Sequence, residues 1–250
     1  MSYYGIRIAH VNENKTRFFK IGIGAGYRYA TDIKKFPGLG DKNLKGVSGR
    51  LSFYFGWFLI KKKVWLMTTK NGHPVAGDIV QQPARIIREI IGDAAVYPNN
   101  DDLPVLIYKN ALLLPDKQPG ALVEELFNQN RWENSWNNGI FGYHHYHSTA
   151  HEVLGIYSGE ARILLGGPDG MSLTVKKGDV ILLPAGVAHK NLGSSSDFGC
   201  VGAYPAGQDF DINLGEPEER KKADRQIARV PLPMTDPVYG QEGHLLSEWT

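Results

Sequence analysis

The sequence predicts a mainly β protein, an antiparallel sandwich or small barrel with a few short flanking helices. Three observations carry the prediction. Between Ile140 and about Gly202 the chain breaks into short β-type runs separated by Ser158-Gly159, Gly166-Gly167-Pro168-Asp169-Gly170, Lys177-Gly178-Asp179 and Gly193-Ser194-Ser195-Ser196, a rhythm of strand and turn that suits such folds. The composition, 42% hydrophobic and 22% charged over 250 residues, can bury a sizeable core and excludes extended disorder, collagen and a simple coiled coil. The one cysteine, Cys200, rules out an intrachain disulfide framework and a cysteine-based zinc finger.

Charge divides the chain. Residues 1–94 carry 16 Lys/Arg against 6 Asp/Glu, a net of +10, whereas residues 95–250 carry 12 against 20, a net of −8. A switch this large predicts two pieces, an N-terminal extension over 1–94 and a main domain over 95–250. The overall pI of 8.5 then says little about nucleic acid, because the acidic piece holds the candidate chemistry. We expect neither a nucleic-acid nor a membrane partner. The longest apolar run, about Leu51 to Ile60, is too short for a spanning helix. No N-terminal charged-apolar-small pattern appears, which predicts a cytoplasmic protein.

In the extension, Phe19, Ile21, Ile23, Ala25, Tyr27 and Tyr29 alternate with Lys20, Gly22, Gly24, Gly26 and Arg28, the period of a strand with one small or polar face. Leu51 to Phe58 reads as a second strand, and Pro37-Gly38-Leu39-Gly40-Asp41 between them is turn chemistry. The glycines at 22, 24 and 26 lack the spacing and the following helix of a dinucleotide loop. This pair of segments resembles the last strands of an outer-membrane β-barrel, yet a closed barrel needs at least about eight strands and only two or three fit here. Two readings stand: a fused or wrongly assigned leader, with Met67 the true start, or an extra hairpin packed on the main domain.

Further along, Pro83 to Gly92 is expected as a short helix, with proline at its start and glycine just past its end. A second helix is expected over Pro119 to Asn130, with Leu122, Leu126 and Phe127 on one face. After the β-type runs, a helix near Pro217 to Ile227 precedes an extended stretch from Pro231 to Pro237.

Histidine carries the chemistry. Four of the eight histidines, His144, His145, His147 and His151, fall within eight positions, where uniform scatter would place about a quarter of one. On a strand, His145 and His147 point to the same face. Glu152 follows past a Ser148-Thr149-Ala150 turn and can return on the neighbouring strand to face the pair. His189 ends a tight turn, Pro184-Ala185-Gly186-Val187-Ala188-His189. Three imidazoles and one carboxylate form a mixed shell suited to a six-coordinate Fe(II), Mn(II), Ni(II) or Co(II) with two open positions. Zinc more naturally takes three histidines and a water.

These residues match two motifs. Gly139-x5-His145-x-His147-x4-Glu152-x6-Gly159 has every position of the first cupin motif, and Gly178-x5-Pro184-x-Gly186-x2-His189 matches the second. The asparagine that usually follows the last histidine by four residues is Gly193 here, with Asn191 nearby. Trp136 to Ile140, Tyr143 to Gly155, Gly202 to Pro205 and Asp236 to Gly240 bring the chain closer to one branch, and residues 95–250 resemble the YjlB-like cupins, small bacterial proteins largely without assigned activity. The resemblance does not reach residues 1–66. It implies a double-stranded β-helix (jelly-roll) barrel with one divalent transition metal in its mouth, commonly in a homodimer.

Strand parity sorts the neighbouring residues. Tyr143 shares the parity of the ligand pair and is expected to face the interior. His144 is expected to point away. His151, opposite in parity to Glu152, is expected to face outward unless a bulge intervenes. These three and Asn191 are candidates for orienting a ligand or touching substrate. Tyr157 reads equally as packing or surface, Arg162 as a solvated side chain and Cys200 as packing. Trp132 and Trp136 read as lid or packing at the rim. The expected function is a metal-dependent enzyme, dioxygenase or isomerase in type, acting on a small polar molecule. The rival is a non-catalytic module that senses or stores a ligand or metal.

Overall fold

The computed structural model of the chain describes residues 4–12, 15–28 and 46–58 as paired strands, and residues 76–250 with their side chains. Met67, the Pro37–Asp41 turn and Lys61–Lys63 lie outside the described residues. The chain divides into two compact units, Met1–Trp65 and Leu66–Thr250.

In the first unit, β1 (Tyr4–Asn12), β2 (Lys15–Arg28) and β3 (Gly46–Phe58) form an antiparallel meander. The two strands read from the sequence correspond to β2 and β3. Gly22, Gly24 and Gly26 pair with Ser52, Arg50 and Ser48 along that ladder, so the glycine run is strand and not a phosphate loop.

Among the described residues of the second unit, a single 3₁₀ turn, Ala76–Ile79, comes first, followed by β4 (Arg85–Ile91) and β5 (Asn100–Lys109). The segment expected as a helix over Pro83 to Gly92 is therefore a strand. Its four isoleucines are β-branched and favour extended backbone. Pairing with β5 settles the matter, because it sends Ile87 and Ile91 to one core and Ile86 to the other. The same pairing places β4, on the basic side of the charge switch, in one compact unit with the acidic residues. The structural division at Trp65/Leu66 thus differs from the compositional one at 94/95, since charge reports on surface composition and not on which strands pair.

The remaining elements are α1 (Pro119–Gln129), β6 (Trp132–Asn138), β7 (Glu152–Ser158), β8 (Glu160–Leu165), β9 (Met171–Lys176), β10 (Val180–Leu183), β11 (His189–Ser194), β12 (Gly199–Pro205), α2 (Arg220–Ile227) and α3 (Leu245–Glu248). A six-stranded sheet, ordered β4-β5-β10-β7-β12-β6, faces a three-stranded sheet, β11-β8-β9. This is the expected mainly β jelly roll. No helix among the described residues is long and apolar enough to cross a membrane.

Period-2 alternation splits the large sheet into two faces. Val105, Ile107, Leu154, Ile156, Ile181, Leu183 and Cys200 point between the sheets, where they meet Ile163, Leu165 and Val175. Leu106, Tyr108, Val153, Val180, Leu182, Val201 and Ala203 point the other way, under α1 and the C-terminal tail. Helix α1 comes so close that a Cβ at Gly155 would lie 2.6 Å from Val123 and 2.8 Å from Phe127. The Trp132 indole, fully buried, donates to the Thr235 carbonyl at 2.9 Å and so belongs to this packing and not to a lid.

Two polar groups hold the tail to the sheet. Buried Asp236 accepts from Tyr108 Oη (2.7 Å) and from the backbone amides of Val238 (2.8 Å), Tyr239 (3.0 Å) and Leu245 (3.1 Å). His151, also buried, accepts from the Ala185 amide through Nδ1 at 3.0 Å and packs its ring 4.7 Å from that of Trp249. Accepting through Nδ1 requires a neutral ring, and burial pushes its pKa down to about 3.

Asp236→Ala should strand four donors and cost roughly 2–4 kcal/mol by chemical denaturation. The His151 ring takes up a proton near pH 6.5 when unfolded but only near pH 3 when folded. Stability present above the unfolded value is then lost as pH falls through that window. Urea titrations from pH 7 to pH 4 should show His151→Gln losing less stability per pH unit than wild type, by close to one proton's worth, about 1.4 kcal/mol. Identical slopes would mean that the ring is not held neutral.

Candidate metal centre

The segment carrying His145 and His147 is short, and backbone hydrogen bonds stitch it on three sides. His145 pairs with His189 as an antiparallel bridge, each amide donating to the other's carbonyl (3.2 and 2.9 Å). Tyr146 pairs in the same way with Asn213, both bonds at 3.0 Å. The Gly186 amide donates to the His147 carbonyl at 2.8 Å. Gly186 has a φ of +93°, and a Cβ there would lie 2.3 Å from the Asn99 carbonyl, so the Pro-x-Gly turn needs its glycine. Buried Asn99 holds the approach to His189, accepting from the Ala188 amide (3.0 Å) and donating to the Gly166 carbonyl (3.1 Å). Glu152 comes from the first position of β7, opposite Leu183 of β10.

The three imidazoles converge with their tautomers set. Nδ1 of His145 faces the Tyr143 carbonyl (3.4 Å), Nδ1 of His189 faces the Val187 carbonyl (3.2 Å), and Nδ1 of His147 is bonded to the Asp211 carbonyl. A carbonyl only accepts, so each Nδ1 carries the hydrogen, and in the neutral ring Nε2 is the nitrogen that keeps its lone pair. The His145 and His189 rings lie 4.1 Å apart, and one ligand nitrogen from each of the three histidines falls within 4.8 Å of the others.

The carboxylate closes the group. Glu152 Oε2 lies 3.4 Å from His147 Nε2 and 3.3 Å from His189 Nε2. Its other oxygen, Oε1, accepts from the Tyr204 hydroxyl at 3.0 Å, and Tyr204 in turn accepts from Trp136 Nε1 at 3.0 Å. Burial opposes ionisation of Glu152, but His147 and His189 outweigh it and hold the carboxyl below its usual range. Burial likewise opposes a charge on His147, while Glu152 pulls the other way and raises its pKa. His145, farther from the acid, is pushed down to about 3 by burial and by the neighbouring histidines His189 and His147.

These residues fit a divalent ion on an observation of their own. His147 Nε2 and Glu152 Oε2 are buried without a hydrogen-bond partner, a costly state for polar atoms unless something else satisfies them. Their separations from one another and from His189 are those of donors that share one ion with bonds of about 2.1 Å. A cavity of about 280 Å³ opens on the group, walled by Trp136, Ile140, Phe141, Leu154, Tyr204, Phe210 and Ile212.

The other candidate residues fall elsewhere. Tyr143, expected to face the interior, is 49% exposed at the rim, stacked on Phe141 with ring centroids 4.8 Å apart. Parity fails there because residues 141–144 are a loop, where no pleat propagates; the residue serves the site through its carbonyl. His144 does point away, against Tyr97 at 5.3 Å. His151 has the outward parity expected, but α3 and the tail cover that face, so it is buried and remote from the ligand group. Asn191 caps its own turn, accepting from the Gly193 amide (2.8 Å) and donating to Ser194 Oγ (3.2 Å), and does not line the cavity. Tyr157 donates to Asn137 Oδ1 (2.7 Å) and packs on Gly120, Arg162 is exposed, and Cys200 is buried, with its thiol pushed up by burial. Trp136 walls the cavity and hydrogen-bonds to Tyr204.

Sequence reasoning assigned no role to Tyr204, Phe210 or Asp211. Tyr204 was legible in principle, since Gly202 and Tyr204 share one parity on β12, and Trp136 lies so close over Gly202 that a Cβ there would sit 2.1 Å from the indole. Asp211 gave no signal, because it acts through its carbonyl on His147 and through its carboxylate on the Ser148 amide and hydroxyl (both 2.6 Å).

Comparison with known proteins agrees with this architecture. A cupin family model matches residues 136–201. The uncharacterized protein YjlB of Bacillus subtilis (strain 168) is 45% identical over 152 residues, which cover 61% of this chain and 89% of that protein. Similar solved structures include the dTDP-6-deoxy-D-glucose-3,5-epimerase RmlC of Legionella pneumophila, 16% identical over 49% of this chain and 72% of that one, with a TM-score of 0.27. Another is an S161A mutant of Bacillus subtilis oxalate decarboxylase OxdC, 16% identical over 50% of this chain and 30% of that one, also at 0.27. With most of YjlB spanned at that identity, and both histidine motifs at the mouth of a jelly roll, the chain belongs to the YjlB-like cupins.

Proposed function

We propose that this protein holds one divalent transition metal on His145, His147, Glu152 and His189 and acts as a metal-dependent enzyme on a small molecule entering the adjoining cavity. The observation that carries the reading is the set of three Nδ1–H groups turned to carbonyls, which leaves the Nε2 lone pairs converging beside a buried carboxylate. The donor set, mixed nitrogen and oxygen, suits Fe, Mn, Ni or Co, with Zn also accommodated. Bound there, the ion would supply Lewis-acid polarisation of a substrate oxygen or redox chemistry with dioxygen.

The chain's own groups have separate tasks. The imidazoles offer neutral donors, and Glu152 offsets one unit of the ion's charge. Tyr204 holds its proton, because burial and the nearby carboxylate raise its pKa; it donates that proton to Oε1 and turns Oε2 to the histidines. Trp136, Phe210 and Ile212 give the cavity side an apolar wall. The open cavity beside an acid and a phenol favours an enzyme over a storage module, whose site would be filled or plugged. Oxygenase and isomerase chemistry both fit, and a screen of small carbonyl, thiol and sugar compounds separates them. Uptake of dioxygen marks the first, and product without uptake marks the second.

Elemental analysis of purified protein should find close to one transition-metal ion per chain, natively or after loading with Fe(II), Mn(II) or Ni(II). His147→Ala should abolish retention while His144→Ala keeps it. No metal under any loading, or equal losses in the two variants, defeats the assignment. Tyr204→Phe should weaken metal affinity roughly 10–100-fold, the usual effect of removing a partner that orients a ligand. Competition with a chromogenic chelator reads this directly, and an unchanged affinity would leave Glu152 positioned by packing alone.

A further inference from the structure

Beyond the ligand group, the cavity walls carry information about what enters. They are mostly aromatic and aliphatic; of the two asparagines among them, Asn137 accepts from the Tyr157 hydroxyl and Asn138 from the Gly139 amide. Among the described residues no lysine or arginine lines them, and Glu152 is the one acid. Lys190, next to His189 in sequence, acts electrostatically on His144 and does not line the cavity. Two stacked pairs flank the opening: Phe141 on Tyr143 at 4.8 Å, and Phe210 on Tyr204 at 4.4 Å. Each phenylalanine also meets a candidate ligand, Phe141 with its ring centroid 5.1 Å from that of His145 and Phe210 5.4 Å from that of His147. Yet Phe141, Phe210 and Ile212 remain 45%, 42% and 48% exposed, which leaves a continuous apolar lip beside the metal position.

We infer that the cavity selects a small ligand with an apolar, preferably aromatic, body and a chelating oxygen head of at most one negative charge, and that it rejects small polyanions. The inference rests on the metal reading above and specifies its substrate class. A divalent ion with Glu152 and three neutral imidazoles leaves one net positive charge. A monoanionic head neutralises it, and a second negative charge would sit between low-dielectric walls with no cation to meet it. The lip supplies the complement for the body, since a ring slotted between Phe141 and Phe210 covers apolar surface that otherwise stays in water and stacks on π faces. The cavity volume, about 280 Å³ and at the small end for ligand pockets, limits that body to a single ring or a short chain.

The test uses the full chain loaded with Co(II) and assayed for cobalt content. Benzohydroxamate, acetohydroxamate and oxalate are titrated in turn, with the cobalt absorption band and calorimetry giving Kd. The two hydroxamates share one singly charged head and differ in body, and oxalate is a dianion without one. Benzohydroxamate should bind at least about tenfold tighter than acetohydroxamate, a discrimination that apolar pockets ordinarily achieve, and oxalate should bind weakest. Phe210→Ala and, separately, Phe141→Ala should erase most of the preference between the hydroxamates, read as the ratio of the two Kd values in protein assayed for bound cobalt. Equal hydroxamate affinities, or oxalate matching benzohydroxamate, in protein that holds cobalt overturns this inference and leaves the metal site standing. Protein that takes up no cobalt overturns both.

Discussion

Three hydrogen bonds that end on backbone carbonyls make the centre of this protein what it is. Imidazole is ambiguous: either nitrogen can carry the proton, and the ring can be turned to present either one. Here the carbonyls of Tyr143, Val187 and Asp211 take the Nδ1–H of His145, His189 and His147, and both ambiguities vanish together. Two of these carbonyls lie two residues before the histidine they hold, so local chain geometry sets them. The third comes from far along the chain and depends on the Tyr146–Asn213 bridge that lays the 211–213 segment alongside. Loss of that long-range pairing would free the ring of His147 before any candidate ligand changed.

The carboxylate shows how burial and charge compete. Glu152 is fully inside the protein, where desolvation alone would keep it protonated, yet His147, His189 and the Tyr204 hydroxyl hold it ionised. The result is a negative group whose one remaining oxygen has no hydrogen-bonding neighbour, set beside two imidazole nitrogens. Such an arrangement is expensive in a folded core unless a further group, such as the proposed ion, satisfies it. Immediately before β7, the strand that Glu152 begins, His151 is kept neutral by burial and by an amide donor. Adjacent residues thus occupy different charge states, one neutral and one ionised.

The helical reading of Pro83 to Gly92 shows where periodicity misleads. Isoleucines at 86, 87, 90 and 91 satisfy a helical stripe, while Ile86, Ile87 and Ile91 equally serve a strand between two cores, and only the partner strand β5 distinguishes the two states. The Tyr143 expectation fails for a related reason, because parity is a property of paired strands and the residue lies in a loop.

Short-range chemistry was therefore readable from the chain alone. The spacing of His145, His147 and Glu152, the Pro-x-Gly turn before His189, the glycine-punctuated strands and helix α1 all depend on neighbours within a few residues, and local sterics and period-2 alternation determine them. Tertiary structure decided the rest: the strand state of β4, the burial of His151 under Trp249, and the recruitment of Tyr204, Phe210 and Asp211 to the mouth. The β4 pairing joins residues up to 24 positions apart, and the other contacts join residues more than 50 apart. Residue order fixes which side chains can meet across a few positions, but only the packed sheets determine which distant carbonyl, phenol or ring arrives beside them.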